Sequence, residues 1–366
     1  MTKALRPDVF YLEELKNIFG PVQILKQPAP ELSNLPIPKL IIDRNSKTDE
    51  SSTVAWCPLI DKWAEHGDIA FADGRGKIRI VLSKKANANT LLVTEQCDNL
   101  CHFCSQPPRK IDDKILFAFA AQSIVSFNSH HVIGISGGEP LLDQSSIFNF
   151  FKILDEFKNK TPLHILSNGR AFKDKAFTKR FIESAKLRDV EIGIPLYSTS
   201  SRIHDYLVNK EGAWNDTVKG LINAGNMGLP IEIRVIPTKQ NYCEISAIVE
   251  MALTCLNSIT RISIMNLEQT GWAKKNWNNL YVKPDKYLDE LENACQLGNR
   301  FGTEISLFNY PLCHLNSSLY KYSKKSISDW KNTFPSNCNY CVEKEQCGGF
   351  FTSTKNIEVK PLGQIL

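Results

Sequence analysis

The sequence predicts an α/β protein built around an open, parallel (β/α)6 partial barrel. Six apolar, strand-like runs alternate with segments of helical periodicity between residues 91 and 301. Strands that are apolar throughout are typical of parallel sheets covered on both faces. A proline-rich connection precedes this region, and the alternation stops after residue 302. Six units are too few to close an eight-stranded barrel, so we expect an open one.

Length and composition are those of an ordinary globular protein. The 366 residues, 42% hydrophobic and 23% charged, allow two or three domains. The net charge of +5 permits an anionic cofactor or an acidic peptide without indicating nucleic acid. No apolar stretch is long enough for a membrane helix, and the N-terminus lacks the apolar core of a secretory signal. A cytoplasmic location is therefore expected.

Residues 1–88 are predicted to form a small N-terminal α+β module. We expect a helix over 12–19, a strand over 22–25 and a hairpin around Asp73-Gly74 within 68–82. An exposed sheet edge in such a module can bind a leader peptide by strand addition. A structural lid or barrel plug is the interpretation that we favour for this module.

The core domain is predicted over residues 89–302. Its strands are expected at 91–95, 131–136, 163–166, 190–196, 230–236 and 260–266. Its helices are expected near 112–129, 144–158, 174–187, 215–227, 243–257 and 284–301. Barrel active sites lie at the carboxyl ends of the strands, so the residues that follow each strand are the candidates for function.

The loop after the first strand carries Cys97, Cys101 and Cys104 in a C-x3-C-x2-C spacing. So short a spacing lets three thiolates converge on one inorganic centre and leaves a coordination position open. Structural zinc sites are closed by four ligands, so an iron–sulfur cluster with one exposed iron fits better. A zinc knuckle or three reduced structural cysteines is the alternative.

The second strand ends in Gly137-Gly138-Glu139-Pro140. The two glycines allow the backbone to approach a ligand closely, and the Glu139 carboxylate can accept a hydrogen bond from an ammonium group. The motif follows the cysteine loop after one intervening helix, which makes it more specific than an isolated turn sequence.

The cysteine loop and the GGEP motif together resemble the radical S-adenosylmethionine (SAM) superfamily. The resemblance implies that Cys97, Cys101 and Cys104 bind three irons of a [4Fe-4S] cluster, whose fourth iron chelates the SAM amino and carboxylate groups. It implies a TIM-like partial barrel, and GGEP as the binding site of the SAM amino group. It also implies an electron from ferredoxin or flavodoxin, which cleaves SAM into methionine and a hydrogen-abstracting 5′-deoxyadenosyl radical.

Five further residues are predicted to contact the cofactor. They are Phe103 in the cysteine loop, Ser167 and Asn168 after the third strand, Ser198 after the fourth, and Arg234 on the fifth. Asn168 precedes a glycine, so a plain turn is the alternative there. Pro195 and Tyr197 stand where many relatives have Ser-Leu-Asp-Gly. The His204-Asp205 pair is expected to be structural or helix-capping, and no catalytic acid or base is assigned.

The C-terminal domain, residues 303–366, contains Cys313, Cys338, Cys341 and Cys347 in the spacing C-x24-C-x2-C-x5-C. The last three cysteines and the following Gly-Gly resemble the auxiliary-cluster domains called SPASM and twitch. The resemblance implies one auxiliary [4Fe-4S] cluster of the twitch kind. A four-thiolate zinc site has the same donor set and is the alternative.

The run TEQCDNLCHFCSQPPRK, the strand end Ile194–Tyr197 and residues 266–272 resemble the His-Xaa-Ser system maturases of the HxsC type. This implies modification of a ribosomally made peptide rich in His-Xaa-Ser repeats, beside a sister radical SAM maturase. Two other classes stay open. One is a radical SAM enzyme acting on a small metabolite or RNA, and the other is a non-catalytic iron–sulfur or zinc sensor.

Overall fold

The computed structural model describes residues 10–26, 36–41, 52–54, 58–325, 332–354 and 358–363. The chain divides into two compact units. The first contains residues 1–94, 112–164 and 183–190, and the second contains residues 95–111, 165–182 and 191–366.

The N-terminal part of the first unit is a four-stranded sheet of order β3-β2-β1-β4. Its elements are β1 (Phe10–Leu25), β2 (Lys39–Ile41), β3 (Ser52–Val54), α1 (Pro58–Trp63) and β4 (Ile69–Leu82). Strands β1 and β4 are antiparallel, and their apolar side chains form a core with Leu40 and Ile60.

Two predictions for this sheet are wrong. Residues 12–19 are not a helix but part of β1, because pairing with β4 along the strand overrides the local helical pattern. Asp73-Gly74 does not reverse the chain but lies inside β4, where Asp73 pairs with Phe19. The turn chemistry is present, since Asp73 accepts hydrogen bonds from the N–H groups of Arg75 and Lys77. The register between the two strands also shifts in this region, with the extra residues in β1, because Tyr11 to Lys16 lie opposite Lys77 to Arg75.

The rest of the first unit begins the parallel sheet. It contains β5 (Asn89–Thr94), α2 (Ile115–Phe127), β6 (Ile133–Gly137) and α3 (Gln144–Glu156). Strand β5 pairs in parallel with β6, and α2 packs against α3. Two elements follow along the chain, β7 (Leu163–Leu166) and α4 (Lys175–Ala185).

The second unit continues the alternation. Its strands are β8 (Val190–Pro195), β9 (Ile231–Val235), β10 (Ile259–Met265), β11 (Glu304–Phe308) and β12 (Ser323–Lys324). Its helices are α5 (Ser201–Val208), α6 (Ala213–Asn226), α7 (Ile245–Cys255), α8 (Gly271–Lys275), α9 (Trp277–Leu280) and α10 (Leu288–Phe301). Neighbouring strands are parallel throughout, as the interposed helices require. Two short strands in the C-terminal region, β13 (Asn332–Thr333) and β14 (Phe350–Phe351), form a separate antiparallel pair.

The larger sheet has the order β5-β6-β7-β8-β9-β10-β11-β12, which follows the chain and has two different ends. This confirms the predicted α/β fold with a parallel, open barrel-like sheet. The expectation that the alternation stops after residue 302 is wrong, because β11 pairs with β10 and extends the sheet. Helix α5 was also absent from the predicted elements, since its eight residues fall inside one expected connection.

Candidate functional site

The cysteine loop is held by backbone hydrogen bonds to the end of α5. The N–H groups of Leu100 and His102 donate to the carbonyls of Val208 and Leu207, both at 3.0 Å. Carbonyls in the last turn of a helix have no partner within the helix, so they are free to accept such bonds. Helix α5 therefore fixes the backbone between Cys97 and Cys104.

The end of the loop rests on α8. The Trp272 N–H donates to the Cys104 carbonyl at 2.8 Å, and the Asn276 side chain donates to the His102 carbonyl at 2.8 Å. Gly271 has φ +48°, and a Cβ built there would lie 2.3 Å from the Cys104 carbonyl oxygen. Only glycine fits this close approach, a constraint that the sequence alone does not reveal.

A charged cluster holds Asp98, the residue after the first cysteine. Its carboxylate accepts hydrogen bonds from the Asn168 side chain at 2.8 Å and from the Arg170 guanidinium at 2.6 Å. Arg170 also donates to the Asn99 side chain at 3.0 Å. One guanidinium thus holds two consecutive residues between Cys97 and Cys101.

Arg170 is itself fixed from the opposite side by Asp216 of α6, at 3.2 Å. Lys173 pairs with the same carboxylate at 2.7 Å. Burial acts to raise the pKa of Asp216, but hydrogen bonds from Lys173 and Arg170 outweigh it and hold that pKa below its usual value. Sequence analysis missed Arg170 and Asp216, because an ion pair between distant segments has no local signature.

The three thiols of the loop lie close enough to influence one another. Burial raises the pKa of Cys101, and the neighbouring Cys97 and Cys104 raise it further. Three thiolates together are therefore unfavourable without a cationic centre, which is the condition that a bound iron–sulfur cluster meets. Among the described residues, no group of three His, Cys, Asp or Glu side chains has the spacing for one metal ion. A cluster has a different requirement, because its thiolates bind different irons.

The aromatic residue of the loop packs in an apolar cluster. The Phe103 ring is buried and contacts Tyr197 edge-on, with centroids 4.9 Å apart. Leu207, Leu267 and Leu280 belong to the same cluster. The structure thus places Phe103 under the loop as packing, and its contact with a cofactor stays a prediction.

The GGEP motif lies in the first unit, at the end of β6. A Cβ on Gly137 would lie 2.5 Å from the Thr94 carbonyl oxygen, so glycine is required for the approach to β5. The Thr94 backbone carbonyl also accepts a hydrogen bond from the Gly138 N–H at 2.8 Å. Glu139 and Pro140 are buried, and a Glu139 carboxylate oxygen accepts the Leu141 N–H at 2.9 Å.

The other predicted cofactor contacts already have protein partners. Ser167 accepts the Gly169 N–H at 3.0 Å, and both ends of the Asn168 amide are bonded, to Asp98 and to the Arg170 N–H. Ser198 donates to Glu244 at 2.5 Å, and Arg234 donates to Glu232 at 3.1 Å. These contacts explain why the sequence needs polar residues at the strand ends, and their roles towards SAM stay predictions.

The His204-Asp205 pair forms structural hydrogen bonds. The Asp205 carboxylate accepts the N–H groups of Gly212 and Trp214, both at 2.7 Å, where α6 begins. His204 is buried, accepts the Tyr197 N–H through Nδ1, and has its pKa lowered to about 4 by burial. The arrangement agrees with the structural role expected for this pair.

The C-terminal cysteines converge. Cys313, Cys338, Cys341 and Cys347 line one small, apolar cavity of the second unit. Burial and the neighbouring thiols raise the pKa of Cys338 and of Cys313. Backbone N–H groups already point at two sulfurs, from Leu312 to Cys347 at 3.4 Å and from Leu362 to Cys341 at 3.5 Å. N–H···S bonds of this kind stabilise metal-bound thiolates, so the donor chemistry suits a thiolate-bound cluster, while the spacing of these described cysteines is not that of a single metal ion.

Three solved structures illustrate the similarities of the chain. Streptococcus suis SuiB bound to precursor peptide SuiA is 20% identical, with 60% of this chain and 48% of that chain covered and a TM-score of 0.45. Native anSMEcpe with bound AdoMet and Cp18Cys peptide is 15% identical, with coverages of 60% and 62% and a TM-score of 0.46. Escherichia coli coproporphyrinogen III oxidase (HemN) is 17% identical, with coverages of 58% and 52% and a TM-score of 0.46. The chain thus spans about half of the SuiB chain.

No curated protein matches the chain. In the part of the chain that the structure describes, no helix is both long and apolar enough to cross a membrane. A family model described as "Radical SAM superfamily" matches residues 91–252, which include the cysteine loop, the GGEP motif and strands β6 to β9. Over residues 91–252 the chain is therefore similar to the radical SAM superfamily.

Proposed function

We propose that the chain is a radical SAM enzyme that modifies a ribosomally synthesised peptide. The observation that carries the proposal is the C-x3-C-x2-C loop inside the matched domain, held by α5, by α8 and by the Arg170 cluster. A [4Fe-4S] cluster bound there would pass one electron from a ferredoxin or flavodoxin to SAM, whose C–S bond would break to give methionine and the 5′-deoxyadenosyl radical. The protein supplies the ligands, their fixed geometry and the shielding from water.

Cys97, Cys101 and Cys104 would hold this cluster. Gly137, Gly138, Glu139 and Pro140 would receive the SAM amino group, because the Glu139 carboxylate is an acceptor for an ammonium group. Ser167, Asn168, Ser198 and Arg234 belong to the proposal as further cofactor contacts. Asn168 has in addition a structural role, since its amide holds Asp98.

The four C-terminal cysteines would hold one auxiliary [4Fe-4S] cluster. Their convergence on one cavity and the N–H···S hydrogen bonds support a single thiolate-bound centre. Zinc takes the same four ligands, so metal analysis decides between the two. The domain boundaries at residues 88 and 302 remain part of the proposal, as does leader-peptide binding or a lid role for residues 1–88.

The finer substrate proposal is a peptide with His-Xaa-Ser repeats, and it rests on the sequence resemblance to HxsC-type maturases. With it come a ferredoxin or flavodoxin electron donor, a sister radical SAM maturase and a cytoplasmic location. A short open reading frame encoding such repeats beside this gene would support it.

The test is anaerobic reconstitution with iron and sulfide, followed by metal counting and a 5′-deoxyadenosine assay with and without a His-Xaa-Ser repeat peptide. We expect about eight irons per chain, because two four-iron clusters are proposed. About four irons with one zinc would contradict the auxiliary cluster. No 5′-deoxyadenosine under strong reductant would contradict the enzyme proposal, and a product independent of the peptide would contradict the substrate.

A further inference from the structure

A cavity of about 720 Å³ lies in the second unit, next to the four-cysteine cavity. Its walls come from the loop after β10, from α9, from the segment after β11 and from residues within 349–354 and 358–360. This volume is within the range of about 300–1,000 Å³ that is typical of ligand sites. Asn266, Leu267 and Gln269 of the segment 266–272 line this cavity.

The cavity borders the C-terminal cysteine site and, through two aromatic residues, the apolar cluster against which Cys101 packs. Cys313 lines this cavity and the small cavity of the four C-terminal cysteines. On another wall, Trp277 and Tyr281 line the cavity and pack against the apolar cluster that contains Phe103, with Cys101 beside it. A molecule in the cavity would therefore contact one cysteine site directly and be separated from the other by a layer of aromatic side chains.

The aromatic wall is flat. The rings of Trp277 and Tyr281 are stacked, with centroids 4.2 Å apart and an angle of 13° between their planes. Stacked rings hold each other in one orientation and offer a planar surface to a further ring or amide group.

Polar hydrogen-bonding groups in the cavity wall come from two side-chain amides at the carboxyl ends of β10 and β11. The Asn266 side chain donates to the Asn309 carbonyl at 3.3 Å, and the Asn309 side chain donates to the Asn266 carbonyl at 3.2 Å. This reciprocal pair continues the β10–β11 ladder into the cavity wall. In the described part of the chain the two side-chain amide oxygens accept no hydrogen bond. An amide with a free acceptor and a second N–H complements a peptide group, which carries one donor and one acceptor.

The charges around the cavity balance. Glu358 pairs with Lys283 at 3.0 Å and with Lys360 at 3.7 Å, and Asp285 supplies the second carboxylate. Two lysines and two carboxylates leave no net charge apart from His314. Nucleic acids and phosphates require excess positive charge, so the cavity favours an uncharged ligand.

His314 adds a defined hydrogen-bonding group. Its Nε2 lies 2.8 Å from the Glu358 carbonyl, which can only accept, so Nε2 carries the hydrogen. In the neutral ring Nδ1 is then an acceptor, and the imidazole is held in place by its edge-on contact with Phe350.

We propose that this cavity binds an uncharged peptide segment with a planar side chain, which stacks on Trp277 while its backbone amide bonds with the Asn266–Asn309 pair. That the bound segment is the enzyme's substrate rests on the proposed function. The binding itself follows from the shape, the aromatic wall, the carboxamides and the charge balance, and can be measured without turnover.

The test uses the full chain and three probes in ligand-observed NMR titrations: acetylated and amidated Gly-Phe-Gly, the same tripeptide with Leu in place of Phe, and AMP. We expect the Phe peptide to bind about fivefold more tightly than the Leu peptide, the size of one aromatic stacking contact. Trp277→Leu should abolish this preference, and Trp277→Phe should retain part of it. Asn266→Ala should weaken both peptides about fivefold through one lost hydrogen bond. Asn299→Ala, whose amide contacts Tyr322 and does not line the cavity, should change neither.

The proposal would be overturned if the Trp277→Leu and Asn266→Ala variants bound both peptides with the same affinities as the wild type. AMP binding that is lost on substitution of Trp277 would also overturn it. A 5′-deoxyadenosine assay on the wild-type protein distinguishes the proposed SAM-cleaving function from the proposed peptide-binding cavity. Peptide binding without SAM cleavage would refute the proposed function and leave the binding site intact. SAM cleavage with no peptide bound would refute the site alone.

Discussion

Arg170→Gln should increase local opening of the cysteine loop while the protein as a whole stays folded. The Arg170 side chain is 12% exposed and donates to Asp98, Asn99 and Asp216. Breaking a fully buried ion pair costs about 3–5 kcal/mol, but the two carboxylates are 34% and 24% exposed, so solvent replaces part of the interaction. We therefore expect a loss of about 2 kcal/mol, typical of a charge-assisted hydrogen bond.

The assay is iodoacetamide alkylation of the metal-free protein, followed by mass spectrometry at each cysteine. A loss of about 2 kcal/mol in local closure increases the opened population about 30-fold, so Cys97 and Cys101 should react correspondingly faster. Exposed Cys255 provides the reference rate. Arg170→Lys should fall between wild type and Arg170→Gln, because lysine lacks the planar fork of donors.

Arg188→Gln is the matched control. It removes a buried arginine that pairs with Asp155 in the first unit. If both variants lose the same unfolding free energy while alkylation of Cys97 and Cys101 is unchanged in Arg170→Gln, the loop-holding role of Arg170 is refuted.

Three further outcomes are expected. Gly271→Ala should lower the iron content, and it should lower the free energy of unfolding by more than the roughly 1 kcal/mol expected for Gly302→Ala. Both glycines have positive φ, but only a Cβ at position 271 would meet the Cys104 carbonyl. Equal losses of unfolding free energy would rule out the close approach. His204→Gln should flatten the pH dependence of unfolding between about pH 4 and 6.5. The folded-state pKa is lowered, so the unfolded chain binds more protons in that window and wild-type stability falls by up to about 3 kcal/mol as the pH drops. Parallel wild-type and variant curves would contradict this. Cys313→Ser should reduce the iron content from about eight to about four per chain; a loss of zinc instead would identify the other metal.

The first six strands of the core and its longer helices were predictable because their patterns are local, whereas the eight-residue helix α5 was not predicted. Strands β5 to β10 occur where apolar runs predict them, and β7 was placed at the same residues, 163–166. The N-terminal module was less predictable, since residues 12–19 have a helical pattern that pairing with β4 overrides. Strand β11 was missed because it follows the last expected helix and has five residues.

In the candidate site, too, local features were predictable from the sequence and contacts between distant residues were not. Cysteine spacings are visible in sequence, because ligands of one centre cluster along the chain. The Arg170–Asp98 pair joins residues 72 positions apart, and the Asn266–Asn309 pair joins residues 43 apart. Neither has a local signal, although an arginine directly after the Asn168-Gly169 turn was visible as a charge at a strand end. Partners of this kind are identified only by the fold that brings them together.

The central claim is that Cys97, Cys101 and Cys104 hold a cluster with one iron open to SAM. The most direct measurement is electron paramagnetic resonance of the anaerobically reconstituted, dithionite-reduced protein, before and after SAM is added, in wild type and in Cys101→Ala. We predict a [4Fe-4S]+ signal whose g-values shift with SAM, and we predict that Cys101→Ala loses this SAM-responsive signal while any signal from the C-terminal cysteines persists. A reduced cluster signal that SAM does not change, or one that survives unchanged in Cys101→Ala, would contradict the claim.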